Sequence, residues 1–197
     1  MSLSGIDEAA GALAAGQVVA IPTDTVYGLA VDPRLYGASE RVFALKNRPE
    51  QFALPVLIAD PAEMGQLALV SEGAARLACC YWPGALTLVL SRRADVGFDL
   101  GGDRATIGLR CPAHGALTRL LKITGPLAVT SANRHGQAPL HSAEEVRAHF
   151  GAGVMVLDGG RCEAKPSTVV SLTGAAPVCL REGEIAFGDI ALVFQAS

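Results

Sequence analysis

Short polar side chains follow the first apolar run of the chain. Residues 18–21 are apolar, and Pro22 then interrupts them with a fixed φ and no amide proton, so a strand must end there. Thr23, Asp24 and Thr25 come next. Such groups at a strand end either bind a small ligand or cap the backbone of their own turn. This segment alone leaves both interpretations open.

Several cations stand where helices or strands are predicted to end. Lys46 and Arg48 precede Pro49, which stops a helix, and Arg110 and Arg181 each end an apolar run. A guanidinium group binds phosphate or carboxylate through two parallel hydrogen bonds. The alternative for Lys46 and Arg48 is a solvated helix end that complements the helix dipole.

Hydroxyl and amide side chains flank two further predicted strands. Ser131 and Asn133 follow one strand, and Ser167 and Thr168 begin another. Small groups of this kind can surround phosphate oxygens, or they can form Asx turns. Leaving aside the helix-end pair Lys46 and Arg48, five polar clusters at strand ends in a single chain favour a common ligand site over independent turns. Of the four histidines, His141 is the best site candidate because it follows the Ser-Ala-Asn segment.

Missing motifs exclude several familiar chemistries. The sequence has no P-loop, no G-x-G-x-x-G, no G-x-S-x-G and no H-E-x-x-H. Its five cysteines show no C-x-x-C spacing, so we expect no protein-bound metal site. The net charge of -3, with only three lysines, argues against a protein that mainly coats nucleic acid.

The pattern of elements that must position these residues predicts one α/β domain over residues 1–197, half of which are hydrophobic. Residues 94–104 are expected to form a surface loop. Helices and strands alternate early, and the last third is predicted to be mostly strands, which favours a twisted mixed sheet flanked by helices. Helices are predicted at 4–15, 39–46, from 60, 71–82, 113–122 and from 142, and strands at 17–21, 54–59, 85–91, 106–110, 127–130, 154–157, 168–172 and 178–181.

No signal peptide and no apolar run of roughly 18 residues is present. The expected location is therefore the cytoplasm, with no membrane partner.

Seven short motifs recur in a fixed order along nearly the whole chain. Together they resemble the YrdC-like domain family of L-threonylcarbamoyladenylate synthases, in its single-domain bacterial form. That resemblance implies a fold built around a concave ligand cavity. The motifs are Pro22-Thr23-Asp24-Thr25-Val26-Tyr27-Gly28-Leu29, Lys46-x-Arg48-Pro49, Trp82-Pro83-Gly84-Ala85-Leu86-Thr87, Ile107-Gly108-Leu109-Arg110-x-Pro112, Ser131-Ala132-Asn133, Ser167-Thr168-Val169-Val170 and Leu180-Arg181-x-Gly183.

The resemblance also implies a reaction. L-threonine and bicarbonate form a carbamate, which attacks the α-phosphate of ATP to give threonylcarbamoyl-AMP and pyrophosphate, with Mg²⁺ accompanying ATP. The product then serves partner proteins that transfer the threonylcarbamoyl group to an adenosine of tRNA.

Site residues follow from the resemblance position by position, and no general base is assigned. For ATP it implies Lys46, Arg48, Asn133, His141 and Arg181. For threonine it implies Thr25, Arg110, Ser131 and Ser167, with Arg110 pairing the carboxylate.

One departure and one alternative remain. Many relatives carry a basic or amide residue and then proline where this chain has Phe52-Ala53, which puts one nucleotide contact in doubt. The alternative function is a non-enzymatic double-stranded RNA-binding or ribosome-maturation factor, which would hold tRNA or double-stranded RNA on a basic concave surface. The negative net charge argues against it.

Overall fold

A computed structural model describes residues 3–47, 53–134 and 136–195. Arg48 and Phe52, both named above, lie outside these ranges. Short 3₁₀ turns lie at Pro61–Glu63 and Gly151–Gly153. The helices and strands are α1 (Leu3–Ala14), β1 (Val19–Ile21), β2 (Gly28–Val31), α2 (Ala38–Lys46), β3 (Val56–Leu57), α3 (Met64–Leu67), α4 (Glu72–Tyr81), β4 (Leu86–Ser91), β5 (Thr106–Arg110), α5 (Gly115–Thr124), β6 (Leu127–Ser131), α6 (Ala143–Phe150), β7 (Met155–Val156), β8 (Thr168–Ser171), β9 (Val178–Arg181) and α7 (Phe187–Gln195).

The strands of the described ranges form one mixed sheet in the order β7-β1-β2-β6-β3-β5-β4-β8-β9. Pairs β1–β7, β3–β5 and β4–β8 are parallel, and the other neighbours are antiparallel. This confirms the predicted α/β class with a mixed sheet. Within these ranges, every helix is too short or too polar to cross a lipid bilayer.

Side-chain caps begin three of the helical segments where the sequence predicts them. Asp60 and Glu63 form a reciprocal capping box, and Ser71 accepts a hydrogen bond at the start of α4. Ser142 likewise accepts from the amide of Glu145 at 3.1 Å. The Glu145 carboxylate, however, accepts from the His141 amide, one residue earlier than a capping box requires.

Strand β2 was not among the predicted elements. It pairs antiparallel with β1, its hairpin neighbour, on one side and with β6, a distant segment, on the other. It begins at Gly28, where an added Cβ would lie 2.6 Å from Cγ1 of Val129. The predicted polar turn is therefore the tight connection of a hairpin, and only glycine fits at its exit.

Helix α7 corrects the expectation that the last third is mostly strands. Its Ile190 is fully buried, and the ring of Phe194 occupies the space that a side chain at Gly73 of α4 would need. The carbonyl of Phe194 also accepts a hydrogen bond from Arg76 at 2.8 Å. Tertiary packing against α4 thus stabilises this short apolar helix.

The segment 94–104 is not simply a surface loop. Leu100 is only 2% exposed, and its carbonyl accepts from the amide of Leu54 at 2.8 Å. The Asp99 carbonyl accepts from Ser39 at 2.5 Å. Buried contacts therefore attach this segment to β3 and α2.

Alternation along β4 divides its side chains between the core and the opposite face of the sheet. Leu86, Leu88 and Leu90 are buried in the larger hydrophobic cluster. Thr87 and Val89 point the other way and line a cavity. A second cluster, built from α1, α5 and β1, packs on another part of the sheet.

His114 is the N-cap of α5 and predicts a pH dependence of stability. Its Nδ1 accepts from the Leu117 amide at 3.3 Å, and burial, partly offset by the charge of Asp24, lowers the pKa of His114 below its ordinary 6.5. The fold therefore favours the neutral imidazole. The stability that this preference adds is fully present above pH 6.5, and it is lost as the pH falls through the lower pKa of His114 in the folded protein.

His114→Asn keeps a cap acceptor but removes the titration. Urea unfolding of both proteins from pH 7.5 to 4.5 is expected to show a steeper loss of stability in wild type. Parallel curves for the two proteins would contradict this prediction.

Candidate functional site

A cavity of about 550 Å³ lies against the sheet where several strands begin or end. All four residues predicted to bind threonine line it: Thr25, Arg110, Ser131 and Ser167. Arg181, from the set predicted for ATP, lines it as well. These residues come from the turn after β1, the ends of β5, β6 and β9, and the start of β8, so only the assembled sheet brings them together.

The turn between β1 and β2 serves both purposes that the sequence left open. Thr23 Oγ1 accepts from the amides of Thr25 and Val26 at 3.0 and 3.1 Å, and donates to the Val26 carbonyl at 2.6 Å. Thr23 therefore caps its own turn. Thr25 lines the cavity, and its hydroxyl lies 2.9 Å from Thr23 Oγ1 and accepts from Arg110 at 3.1 Å.

Arg110 is held in one orientation by three partners. Its Nη2 contacts Asp24 Oδ1 at 2.6 Å, its Nη1 contacts Thr25, and its Nε donates to the Gly84 carbonyl at 2.9 Å. The side chains of Arg110 and Asp24 are only 7% and 14% exposed. A guanidinium group has five donors, so three fixed ones leave two for a ligand.

A second guanidinium group, that of Arg181, lies next to hydroxyl groups on the cavity wall. Arg181 Nη2 donates to the Ser167 carbonyl at 2.7 Å and to Ser167 Oγ at 3.1 Å. Ser167 Oγ also lies 2.9 Å from Thr87 Oγ1. Burial, and then the charge of Arg110, lower the pKa of Arg181. Two cations that repel each other beside one cavity favour an anionic ligand such as a carboxylate or phosphate.

Lys46 lies behind the cavity. Its side chain is 2% exposed, and its Nζ donates to the carbonyls of Ser131 and Asn133, each at 2.6 Å, and to Asn133 Oδ1 at 2.9 Å. Ser131 Oγ donates to the same Asn133 oxygen at 2.6 Å. Lys46 and Asn133 thus support Ser131 from behind, and their predicted contacts with ATP stay predictions.

His141 does not line the cavity. Its Nδ1 lies 2.7 Å from the Cys162 carbonyl. This contact connects the segment that follows Ser131–Asn133 to the loop after β7. Its role toward ATP stays a prediction, as does that of Arg48, which is outside the described residues. Of the described residues predicted for ATP, Arg181 is the one that lines the cavity.

Sequence reasoning assigned no individual site role to three lining or supporting residues, although Asp24 and Thr87 stand in the motifs quoted above. Asp24 is the ion-pair partner of Arg110, Thr87 contacts Ser167, and Asp103 is a carboxylate on the cavity wall. Thr87 had a detectable signal, because it is the one polar residue in the alternating run 86–90. No sequence signal pointed to the ion pair of Asp24, since 86 positions separate it from Arg110.

Tyr27 anchors the turn to the loop after β7. Its fully buried hydroxyl donates to the Gly160 carbonyl at 2.9 Å and accepts from the Gly159 amide at 3.1 Å, while burial raises the pKa of Tyr27. Tyr27→Phe is expected to lower the free energy of unfolding by about 1–3 kcal/mol in urea titrations. Tyr36→Phe, at a side chain that is 96% exposed, is the control. Equal stabilities of the two variants would contradict the prediction.

Known sequences resemble this chain over most of its length. A family model for Sua5, YciO and YrdC, described as telomere recombination, matches residues 11–183. A Mycobacterium tuberculosis protein named provisionally as a threonylcarbamoyl-AMP synthase is 40% identical over 192 residues, covering 96% of this chain and 88% of that protein. The threonylcarbamoyl-AMP synthase of Pyrococcus abyssi is 37% identical over 186 residues, covering 92% of this chain and 55% of that protein.

Solved structures agree with the fold. The crystal structure of P. abyssi Sua5 complexed with L-threonine matches with a TM-score of 0.91 and 36% identity, over 96% of this chain and 57% of that one. The crystal structure of E. coli YciO matches with a TM-score of 0.83 and 30% identity, over 90% of this chain and 88% of that one.

Proposed function

We propose that this chain, which belongs to the Sua5/YciO/YrdC family, is a threonylcarbamoyl-AMP synthase. Family membership confirms the resemblance drawn from the motifs. The observation that carries the proposal is the pairing of two guanidinium groups, Arg110 and Arg181, with hydroxyl side chains around one cavity. A cavity of this kind suits a substrate that combines a carboxylate with phosphate groups.

The reaction joins L-threonine, bicarbonate and ATP. The threonine nitrogen bonds to the carbon of bicarbonate, and water leaves to give the carbamate. A carbamate oxygen then bonds to the α-phosphorus of ATP, and the bond from that phosphorus to the bridging oxygen breaks, which releases pyrophosphate. Positioning and charge stabilisation can accomplish these steps without a covalent enzyme intermediate.

Each side chain has a distinct part in this scheme. Arg110, already oriented by Asp24, Thr25 and Gly84, holds the threonine carboxylate through its remaining donors. Arg181 lies where it can stabilise negative charge on the phosphates. Mg²⁺ enters with ATP as part of the substrate. Asp103 is the single carboxylate among the described lining residues, which fits an ion held mainly by the phosphates.

The product is a reactive carbamoyl–phosphate anhydride, so it serves a reaction that transfers its carbamoyl group to a nucleophile. The proposed acceptor is an adenosine of tRNA, reached through separate transfer proteins. The cytoplasm, where ATP and tRNA are present, is the expected compartment.

The direct test is pyrophosphate release by the purified protein. Release is expected only when L-threonine, bicarbonate and Mg²⁺-ATP are all present, and omission of any one should abolish it. No release under any condition, together with tight RNA binding that weakens steeply with salt, would instead support the RNA-binding alternative.

A further inference from the structure

We infer that Thr168 is a positioning residue for the reaction: its buried hydroxyl group fastens the backbone that follows Arg181, and so keeps the Arg181 guanidinium group at the cavity wall. The inference rests on the proposed function, because that function gives Arg181 the ATP phosphates to bind. It follows from the contacts between the end of β9 and the start of β8.

The sheet by itself restrains Arg181 weakly. Among the described strands, β9 is the last one of the sheet and pairs with β8 alone. The register of that pairing shifts between Val169 and Val170, directly beside the pair Val169–Arg181. The charge of Arg110 also repels that of Arg181. A further restraint is therefore needed to hold the Arg181 side chain at the cavity wall before an anion binds.

The hydroxyl group of Thr168 supplies that restraint. Its Oγ1 accepts from the amides of Gly183 and Ile185 at 3.0 and 3.1 Å, and donates to the Ile185 carbonyl at 2.5 Å. A hydroxyl group has one proton and two lone pairs, so these three bonds use its whole capacity within the protein. The Thr168 amide donates to the Ala85 carbonyl at 3.0 Å, which attaches the hydroxyl group to an interior part of the sheet.

The segment after Arg181 comes this close to β8 because Gly183 has no side chain. A Cβ there would overlap the carbonyl oxygen of Pro166 and lie 2.7 Å from the carbonyl carbon of Ser167. The Glu184 amide donates to the same Pro166 oxygen at 3.0 Å. Arg181 lies two residues before Gly183 and donates to the Ser167 carbonyl at 2.7 Å. The fastened segment therefore fixes the distance between the guanidinium group and its acceptor.

The test compares Thr168→Val, which keeps the shape of the side chain and removes its three hydrogen bonds, with Thr168→Ser, which keeps the hydroxyl group. Thr168→Val is expected to raise the ATP concentration required for half-maximal pyrophosphate release at least about tenfold, and to weaken pyrophosphate binding in calorimetric titrations by a similar factor. The threonine requirement should change far less, because the threonine carboxylate pairs with Arg110. Thr168→Ser is expected to restore most of the lost affinity.

Two further variants separate positioning from a general loss of stability. Gly183→Ala displaces the same segment from its other side and should show the same selective effect on ATP. Thr124→Val is matched to Thr168→Val, since the hydroxyl group of Thr124 also contacts backbone carbonyls, that of Leu120 at 3.1 Å and that of Gly125 at 2.9 Å. It should lower the free energy of unfolding and leave the ATP requirement unchanged.

An unchanged ATP requirement in Thr168→Val would overturn the inference. Equal increases for ATP and threonine would do the same, as would a Thr168→Ser variant that fails to restore pyrophosphate binding. If Thr168→Val does not fold, Gly183→Ala decides by the same comparison. Absence of pyrophosphate release by wild type with all three substrates would instead contradict the proposed function, and the pyrophosphate titration would still test whether Thr168 positions Arg181.

Discussion

Arg110→Ala is expected to raise the threonine concentration required for half-maximal pyrophosphate release at least about tenfold, and to change the ATP requirement far less. Arg110 has two donors left for a carboxylate after its bonds to Asp24, Thr25 and Gly84. Loss of the two hydrogen bonds to the carboxylate weakens the binding of threonine and leaves the binding of ATP nearly unchanged. Initial rates with each substrate varied in turn measure the two requirements.

The same substitution removes one member of a buried ion pair. Asp24 would be left without its partner, which costs about 3–5 kcal/mol in comparable cases, so folding must be checked by circular dichroism. Arg110→Lys keeps the charge near Asp24 but loses the planar fork, and should show the threonine defect with a smaller loss of stability. Arg119→Ala, on the exposed side of α5, is the control. Equal increases for threonine and ATP would show that Arg110 does not pair the carboxylate.

Lys46→Ala is expected to lower the rate of synthesis at least about tenfold, the scale of roughly 1.4 kcal/mol of lost transition-state stabilisation. Its Nζ holds two carbonyls and the Asn133 side chain. Without it, Asn133 Oδ1 and the carbonyls of Ser131 and Asn133 lose a buried donor. Direct contact with ATP phosphates would add to this loss.

Lys122→Ala supplies the matched control for that experiment. Lys122 is the other lysine in the last turn of a helix, and it is exposed. Its removal should leave the rate of pyrophosphate release unchanged. A near wild-type rate in Lys46→Ala would mean that neither phosphate binding nor the support of Ser131 contributes to catalysis.

The sequence located several polar residues of the cavity wall because strand ends can be read from it. Thr25, Arg110, Ser131 and Ser167 each adjoin a short apolar run, and a sheet brings such ends together. Strand β2 escaped prediction because four residues give no clear period, and one of its two partners, β6, is remote in sequence. Helix α7 is a short, mainly apolar segment, and such a segment cannot be told apart from a buried strand by its pattern alone.

Lys46 shows what spacing alone cannot decide. A cation at a helix end is compatible with solvent, with a ligand, or with internal carbonyls. In the structure its Nζ contacts internal carbonyls, one of which belongs to Ser131, 85 positions along the chain. Asp24 escaped for the same reason, because an ion pair between distant positions leaves no local pattern. Only the three-dimensional structure shows that these side chains are buried and which distant residues they contact.

The scattered origin of the cavity wall couples ligand binding to the stability of the whole domain. Because Thr25, Ser131 and Arg181 meet only when the sheet is complete, partial unfolding of almost any strand would destroy the site. Threonine present at 100 times its dissociation constant should therefore add about 2.7 kcal/mol to the free energy of global unfolding. A melting temperature that rises with threonine concentration would report this linkage, and an unchanged one would contradict it.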